Sequence, residues 1–396
     1  MNGDQAQAAP AAWHEAEALQ AARDAWHEAE ALQAAAGTAG RGAAEADTAG
    51  RLADGTVEAL GAAGFAAAFA PVRPDGFPAA TATFGAVTRA VATIGEGCTS
   101  AAWLASLWAY NGRFSAFLPD EGRQEVWAKG PDTRLVSSMV AAGVEAEPVD
   151  GGWELSGKWL YVSGVEFADW ALLSSAPPRE GDRSIRVFAV PKDSFTHEVS
   201  WSTLGMRATG SHTLLVERAF VPEYRSFVWD DMRQGVLPSE TGSAVHAASL
   251  FAVNGLTFAA PILGAARAAL RLVAEQLGRQ PSGARAAAQN SARIAYTRAA
   301  GEIDAAALLL ARVAETADGG GLAEDGAAFR SHRDATLAVE ILVGAVDRLF
   351  RVTGTRGQAA AHPMQRIWRD VHAAGSHAAL QFEPAALAYT QGLLAA

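Results

Sequence analysis

Five runs between residues 135 and 222 decide the fold: LVSSMVA (135–141), GGWELSGKWLYVSG (151–164), DWALLSS (169–175), SIRVFAVP (184–191) and SHTLLVERAFVP (211–222). Each is short and rich in Val, Leu, Phe, Tyr or Trp. Clusters of Gly, Pro, Asp and Ser separate them, which is the pattern of strands joined by turns. Asp150-Gly151-Gly152 predicts a hairpin turn, and PPREGDRS (177–184) a polar loop. On both sides the sequence becomes Ala-rich and helical. The expected fold class is α+β, with an N-terminal helical domain (1–132), a central β-barrel-like domain (133–225) and a C-terminal four-helix bundle (226–396). Chemistry is expected where the three meet.

On the N-terminal side AWHEAEALQAA occurs twice, at 12–22 and 25–35. Both copies are strong helix formers. His14 and His27 lie in these copies. Solvation is their plain reading and metal ligation the alternative. A helix over 51–64 is closed by Gly64, and Pro71, Pro74 and Pro78 make 69–79 a loop. In 81–97, Phe84, Val87, Val91 and Ile94 give one buried helical face. Thr99 or Ser100 is positioned to cap a helix over 99–118, whose broad face carries Trp103, Leu104, Leu107, Trp108 and Asn111. Residues 223–245 read as an irregular linker. Beyond Ser249 the chain is helical almost throughout, with Pro261 marking a kink.

Composition narrows the function. Net charge is −11, leaving no surplus of Lys and Arg to neutralise nucleic-acid phosphates. Cys98 is the only cysteine, so disulfides, cysteine zinc sites and iron–sulfur clusters within one chain are excluded and a cytoplasmic setting is expected. No signal peptide and no membrane span is read. The chain lacks a G-x-S-x-G elbow, a P-loop, an HExxH helix and a GxGxxG fingerprint, and no metal site is expected.

The order of helices, β-domain and bundle resembles the acyl-CoA dehydrogenase superfamily from about Asp47 onward. Three segments carry the resemblance: SGKWLYVSG (156–164), LGMRATGSHTLLVERAFVP (204–222) and GTRGQAAAHPMQRIWRD (354–370). The first implies a strand against a flavin, with Tyr161 beside the ring and Ser163 bonded to its reactive nitrogen. Ser138, on the preceding strand, is read as a flavin or substrate contact or, equally, as an ordinary polar strand residue. The third implies that Thr355, Arg356 and Gly357 approach the phosphate region of a flavin bound mainly by a neighbouring subunit.

Two departures redirect the activity. The dehydrogenases need a carboxylate base, yet RDVHAAGSHAALQ (369–381) has none after Asp370, and neither does 259–264. PSGAR (281–285) also replaces the Phe-Gly that the dehydrogenases keep after the equivalent of Arg279. His377, with the SGKWLYVSG and GMRATGSH forms, is similar to the flavin-dependent monooxygenase branch, which includes oxygenase components of two-component aromatic hydroxylases and amino-sugar N-oxygenases.

That resemblance implies reduced FMN or FAD as a diffusible cofactor, O2, a separate flavin reductase and a homotetramer. It implies hydroxylation of a small aromatic or polyketide-like substrate through a flavin hydroperoxide protected by a dry site. Ser163 and His377 are the expected catalytic residues, His377 orienting or deprotonating the substrate. Trp103, Trp108, Asn111 and His377 are the expected substrate contacts, with Trp159 and Phe167 as further pocket walls. Each has a plainer rival. His377 is read otherwise as a bonded core histidine, Ser163 as a strand end, and the tryptophans as core. His372 falls about 140° around its helix from His377 and is read as structural or exposed. The alternatives in function are N-oxygenation of an amine, acyl-CoA dehydrogenation and a catalytically silent scaffold.

Overall fold

The computed structural model describes residues 30–71, 82–175, 185–238, 244–279 and 286–395. The first copy of the tandem repeat, His14, His27, Pro74, Pro78, the 177–184 loop and PSGAR lie outside these residues.

Helices α1 (Glu30–Ala49), α2 (Asp54–Ala62), α3 (Phe84–Gly95), α4 (Thr99–Phe114) and α5 (Asp120–Val126) come first. Thr83 caps α3 by accepting the Ala86 N–H, and Phe84, Val87, Val91 and Ile94 are all buried on it. Gly64 has a positive φ just past α2, as a helix stop requires. Cys98, without a side-chain bond, stands at the cap of α4 where Thr99 or Ser100 was expected.

Eight strands follow: β1 (Leu135–Ser138), β2 (Ala141–Val149), β3 (Gly152–Val162), β4 (Trp170–Ser174), β5 (Arg186–Pro191), β6 (Thr196–Glu198), β7 (His212–Pro222) and β8 (Ser226–Val228). The Asp150-Gly151 turn joins β2 to β3 as predicted, with Val149 opposite Gly152. The barrel-like expectation resolves into two separate four-stranded sheets, ordered β1-β4-β5-β8 and β2-β3-β7-β6. One edge strand of each sheet, β8 and β6, is only three residues long, too short to close a barrel. Val136, Leu173 and Phe188 from one sheet meet Leu155, Trp159 and Leu214 from the other in a shared core. Within the expected irregular linker, β8 pairs with β5 and is followed by α6 (Trp229–Gln234).

The C-terminal part comprises α7 (Ala244–Ala247), α8 (Leu250–Gly278), α9 (Ala286–Asp318), α10 (Ala327–Gly357), α11 (Pro363–Gly375) and α12 (Phe382–Ala395). Three of these are long; the shorter α11 packs against α8 and α10 to complete the bundle. Pro261 is accommodated inside a continuous α8. Helix α8 is long and apolar enough to cross a membrane, but 78% of its apolar window is buried within the protein. It forms the spine between the bundle and α3–α4. A Cβ at Gly264 would lie 2.2 Å from the Ala92 carbonyl, so glycine is required for α3 and α8 to touch backbone to backbone.

Candidate active site

A cavity of about 710 Å³ opens where α4, α8, the end of α11 and the edges of both sheets converge. Trp103, Asn111, Ser138, Tyr161, Ser163 and His377 all line it. Strand pairing explains the convergence on one side. Val162 pairs with His212, and Gly164 N–H donates to the Thr209 carbonyl at 2.8 Å. Ser163 is therefore carried against the turn that precedes β7.

Ser163 sits in a chain of hydrogen bonds whose direction is determined. Thr209 Oγ1 donates its only proton to the Met206 carbonyl at 2.8 Å. Ser211 must then donate across the 2.7 Å contact to Thr209. Ser163 in turn donates across 2.7 Å to Ser211, while its own oxygen accepts the Trp103 indole N–H at 3.2 Å. One acceptor lone pair of Ser163 is left for a ligand.

The turn beneath this chain is held by the Arg-Asp pair of α11. Asp370 accepts the Met206 N–H at 2.7 Å, and Arg369 donates to the Leu204 carbonyl at 2.5 Å while pairing with Asp47 of α1 at 2.6 Å. Burial pushes the Asp370 carboxyl up to about 6, against the opposing pull of the Met206 N–H. Met206 has φ +55°, a strained conformation that these bonds stabilise.

His377 caps the short 3-10 turn Ala378–Leu380, where its Nδ1 accepts the Ala379 N–H at 3.2 Å. Its ring lies 3.9 Å from that of Phe258 and 5.7 Å from that of Trp103, centroid to centroid. Burial among these rings pushes it down to about 4. It is neutral near pH 7, and with Nδ1 occupied the ring proton belongs on Nε2. His377 thus presents an N–H donor.

Other expected residues are placed differently. Trp108 does not line the cavity: it is 1% exposed and points into the helical core, because five residues turn α4 by about 140° from Trp103. Trp159 is likewise core, donating to the Ser174 carbonyl at 2.8 Å between the sheets. Phe167 is outside the cavity, beneath the Arg51 guanidinium at 4.7 Å. Asn111 reaches the wall but clamps α4 to β1, donating to the Leu135 carbonyl at 2.9 Å and accepting from Ser137 at 2.8 Å. Ser138 donates to the Leu160 carbonyl at 2.8 Å, locking β1 to β3. His372 bonds Asp347 at 2.9 Å, away from the cavity.

Tyr161 is 62% exposed at the mouth, where a register shift in β3 gives it φ +61° and its ring stands edge-on to Trp201. Thr355 and Arg356 are exposed at the end of α10, outside this cavity, and Gly357 is buried beside Thr353.

Several wall residues were not singled out by the sequence. Ser211 and Thr209 were quoted only within a signature. Asn254, Thr257 and Phe258 lie on one face of α8, where an apolar helix masks them, and a polar pair one turn apart was the available signal. No Asp, Glu, Lys or Arg is among the described residues that line the cavity.

Residues 256–382 match the family model described as Acyl-CoA dehydrogenase, C-terminal domain. The oxygenase component of the FADH2-dependent resorcinol hydroxylase of Rhizobium sp. (strain MTP-10005) is 30% identical over 345 residues, 82% of this chain and 84% of that protein. This chain belongs to that family of flavin-dependent monooxygenases. The flavin-dependent monooxygenase oxygenase subunit HsaA of Rhodococcus jostii (strain RHA1) is 29% identical over 86% of the chain and 91% of its own length. Among solved structures, XiaF from Streptomyces sp., in complex with FADH2 and glycerol, superposes with a TM-score of 0.86 at 25% identity, covering 97% of this chain and 98% of that one. The monooxygenase reading of the sequence and its acyl-CoA dehydrogenase-like fold therefore hold, and the enzyme is an oxidoreductase dependent on flavin.

Proposed function

We propose that this chain is the oxygenase component of a two-component monooxygenase that takes reduced FMN or FAD from a separate reductase and hydroxylates a phenolic aromatic or polyketide-like substrate with O2. The observation that carries the reading is the shared cavity of Ser163, with one free acceptor lone pair, and His377, with a free Nε2–H, in apolar surroundings. The residues suit a reduced flavin, whose ring N–H needs an acceptor and whose ring needs aromatic neighbours. Ser163, Tyr161 and Trp201 would hold it, and Ser138 would support the adjoining strand edge. When bound, reduced flavin supplies the electrons that activate O2 and allow one oxygen atom to reach the substrate.

The protein's own part is positional and electrostatic. Trp103 donates to Ser163 and fixes its rotamer, so that the Ser163 oxygen accepts from the cofactor. His377 donates from Nε2 to the substrate oxygen, favouring its phenolate and with it electron density on the ring carbons. Trp103 and Phe258 exclude water from this corner. The absence of a carboxylate among the described lining residues argues against proton abstraction from an acyl thioester. Exposed Ile294, Leu308, Leu387, Leu393 and Leu394 on α9 and α12 support association with further copies of the chain, which the homotetramer reading requires. In it, Thr355, Arg356 and Gly357 would serve a neighbouring subunit's flavin.

The test is anaerobic mixing with reduced FMN or FAD, followed by a pulse of ¹⁸O2 with a phenol present. Slower return of the oxidised-flavin absorbance than in free solution, with label in the phenol, supports the reading. Label incorporated instead in a parallel reaction supplied with an amine would favour N-oxygenation. Oxidation at the free-flavin rate with no labelled product would refute both.

A further inference from the structure

Helix α8 presents Asn254, Thr257 and Phe258 to the cavity. Phe258 is the ring that packs on His377. Asn254 lies one turn earlier, about 6 Å along the helix axis. Thr257 is 2% exposed, and its hydroxyl has no hydrogen-bond partner among the described residues. Its backbone carbonyl is already engaged by Ser106 Oγ at 2.6 Å, so the segment is fixed in place. The Asn254 carboxamide likewise has no hydrogen bond among the described residues. A buried hydroxyl without a partner is unfavourable, and a bound molecule that bonds to it removes that penalty.

The rest of the cavity restricts what that molecule is. Among the described residues the lining carries hydroxyls, carboxamides and aromatic rings, with no formal charge. Burying a carboxylate, phosphate or ammonium there would leave it without a counter-ion. The orphan Thr257 hydroxyl and the Asn254 amide can each donate and accept, so they suit a neutral hydroxyl or carbonyl.

Resting on the monooxygenase reading, we infer that the substrate is an uncharged ring system bearing two polar substituents, one held by His377 and the second by Asn254 and Thr257 of α8. Phe258, which packs on His377, borders the space between the two anchors and would contact the intervening ring. A multi-ring phenol or quinol meets these requirements, whereas a monocyclic phenolic acid meets neither the second anchor nor the charge condition.

The test titrates the full-length protein anaerobically, with and without reduced FMN, against 2,6-dihydroxynaphthalene, 2-naphthol and 6-hydroxy-2-naphthoate. Quenching of tryptophan fluorescence is the readout. The dihydroxy probe is expected to bind about fivefold to tenfold more tightly than 2-naphthol. The carboxylate should bind at least about tenfold more weakly than the dihydroxy probe. Thr257→Val and Asn254→Leu should each remove most of the dihydroxy advantage while leaving 2-naphthol unchanged. Thr257→Ser should restore it. Thr257→Val should also leave thermal stability equal or higher, because it deletes an unsatisfied group; a structural hydroxyl would lower it. Carboxylate binding as tight as the dihydroxy probe, an unaltered advantage in both variants, or no binding of any probe would overturn the inference. Selectivity without labelled product would instead sink the monooxygenase reading alone.

Discussion

Ser163 Oγ lies 2.7 Å from Ser211 Oγ, and the bonds further along the chain commit the Ser163 proton to that contact. In the proposed function the serine would therefore meet the cofactor as an acceptor. Ser163→Ala removes the acceptor and is expected to raise hydrogen peroxide released per flavin oxidised at least about fivefold, with product falling in step. Ser211→Ala leaves the oxygen in place and frees its proton, so the effect should be smaller. Peroxide and product assayed in the same reaction check both. Unchanged coupling in Ser163→Ala would remove that residue from the mechanism.

His377→Ala should lower product by about a hundredfold while reduced-flavin oxidation proceeds at its normal rate. Its burial also fixes a pH dependence. His377 and His246 are each pushed down to about 4 by burial. A depressed histidine contributes stability that is present above its unfolded value near 6.5 and lost as pH falls towards 4. Each contributes up to about 3 kcal/mol across that window. Asp370, raised to about 6, acts in the opposite sense, its contribution being present below its unfolded value and lost as pH rises through 6. Urea midpoints measured between pH 4 and 7 should climb with pH, and the climb should be shallower in His246→Gln.

What the sequence made legible follows physical range. The strands of 135–222 and the amphipathic helices were readable because their signals are local. Ser163 and His377 were readable as cavity residues because they sit in contiguous motifs. Trp108 and Trp159 were misplaced in the pocket because an aromatic residue carries no local sign of which packed face it joins; Trp159 points between the sheets and Trp108 into the helices. Asn254 and Thr257 escaped notice because their place in the cavity depends on how α8 packs, and α8 meets α3 backbone to backbone where Gly264 touches Gly95, a residue distant in sequence.

The Arg369-Asp370 pair, read from the sequence as a family mark, has a mechanical use. Asp370→Ala would leave the buried Met206 N–H unsatisfied, costing about 1–3 kcal/mol. Gly205→Ala would force a Cβ to within 2.1 Å of the Arg369 carbonyl oxygen. Both should lower the urea midpoint and loosen the Met206 carbonyl that terminates the Ser163 chain. Peroxide release should therefore rise in Asp370→Ala even where the protein remains folded. Tight coupling in a folded Asp370→Ala protein would show the turn to be a scaffold element alone.

Arg356 tests the assembly. It is exposed at the end of α10 and lies outside the cavity of its own chain. Substituting an exposed residue there should leave the urea midpoint within about 0.5 kcal/mol of the parent. If a neighbouring subunit's flavin phosphate lies against it, Arg356→Ala should weaken reduced-flavin binding about tenfold, and the loss should shrink at high salt. Equilibrium dialysis against reduced FMN and FAD, run beside light scattering, reads both quantities. Unchanged affinity in an intact oligomer would show that α10 does not serve the cofactor, and the flavin would then be held from within one chain.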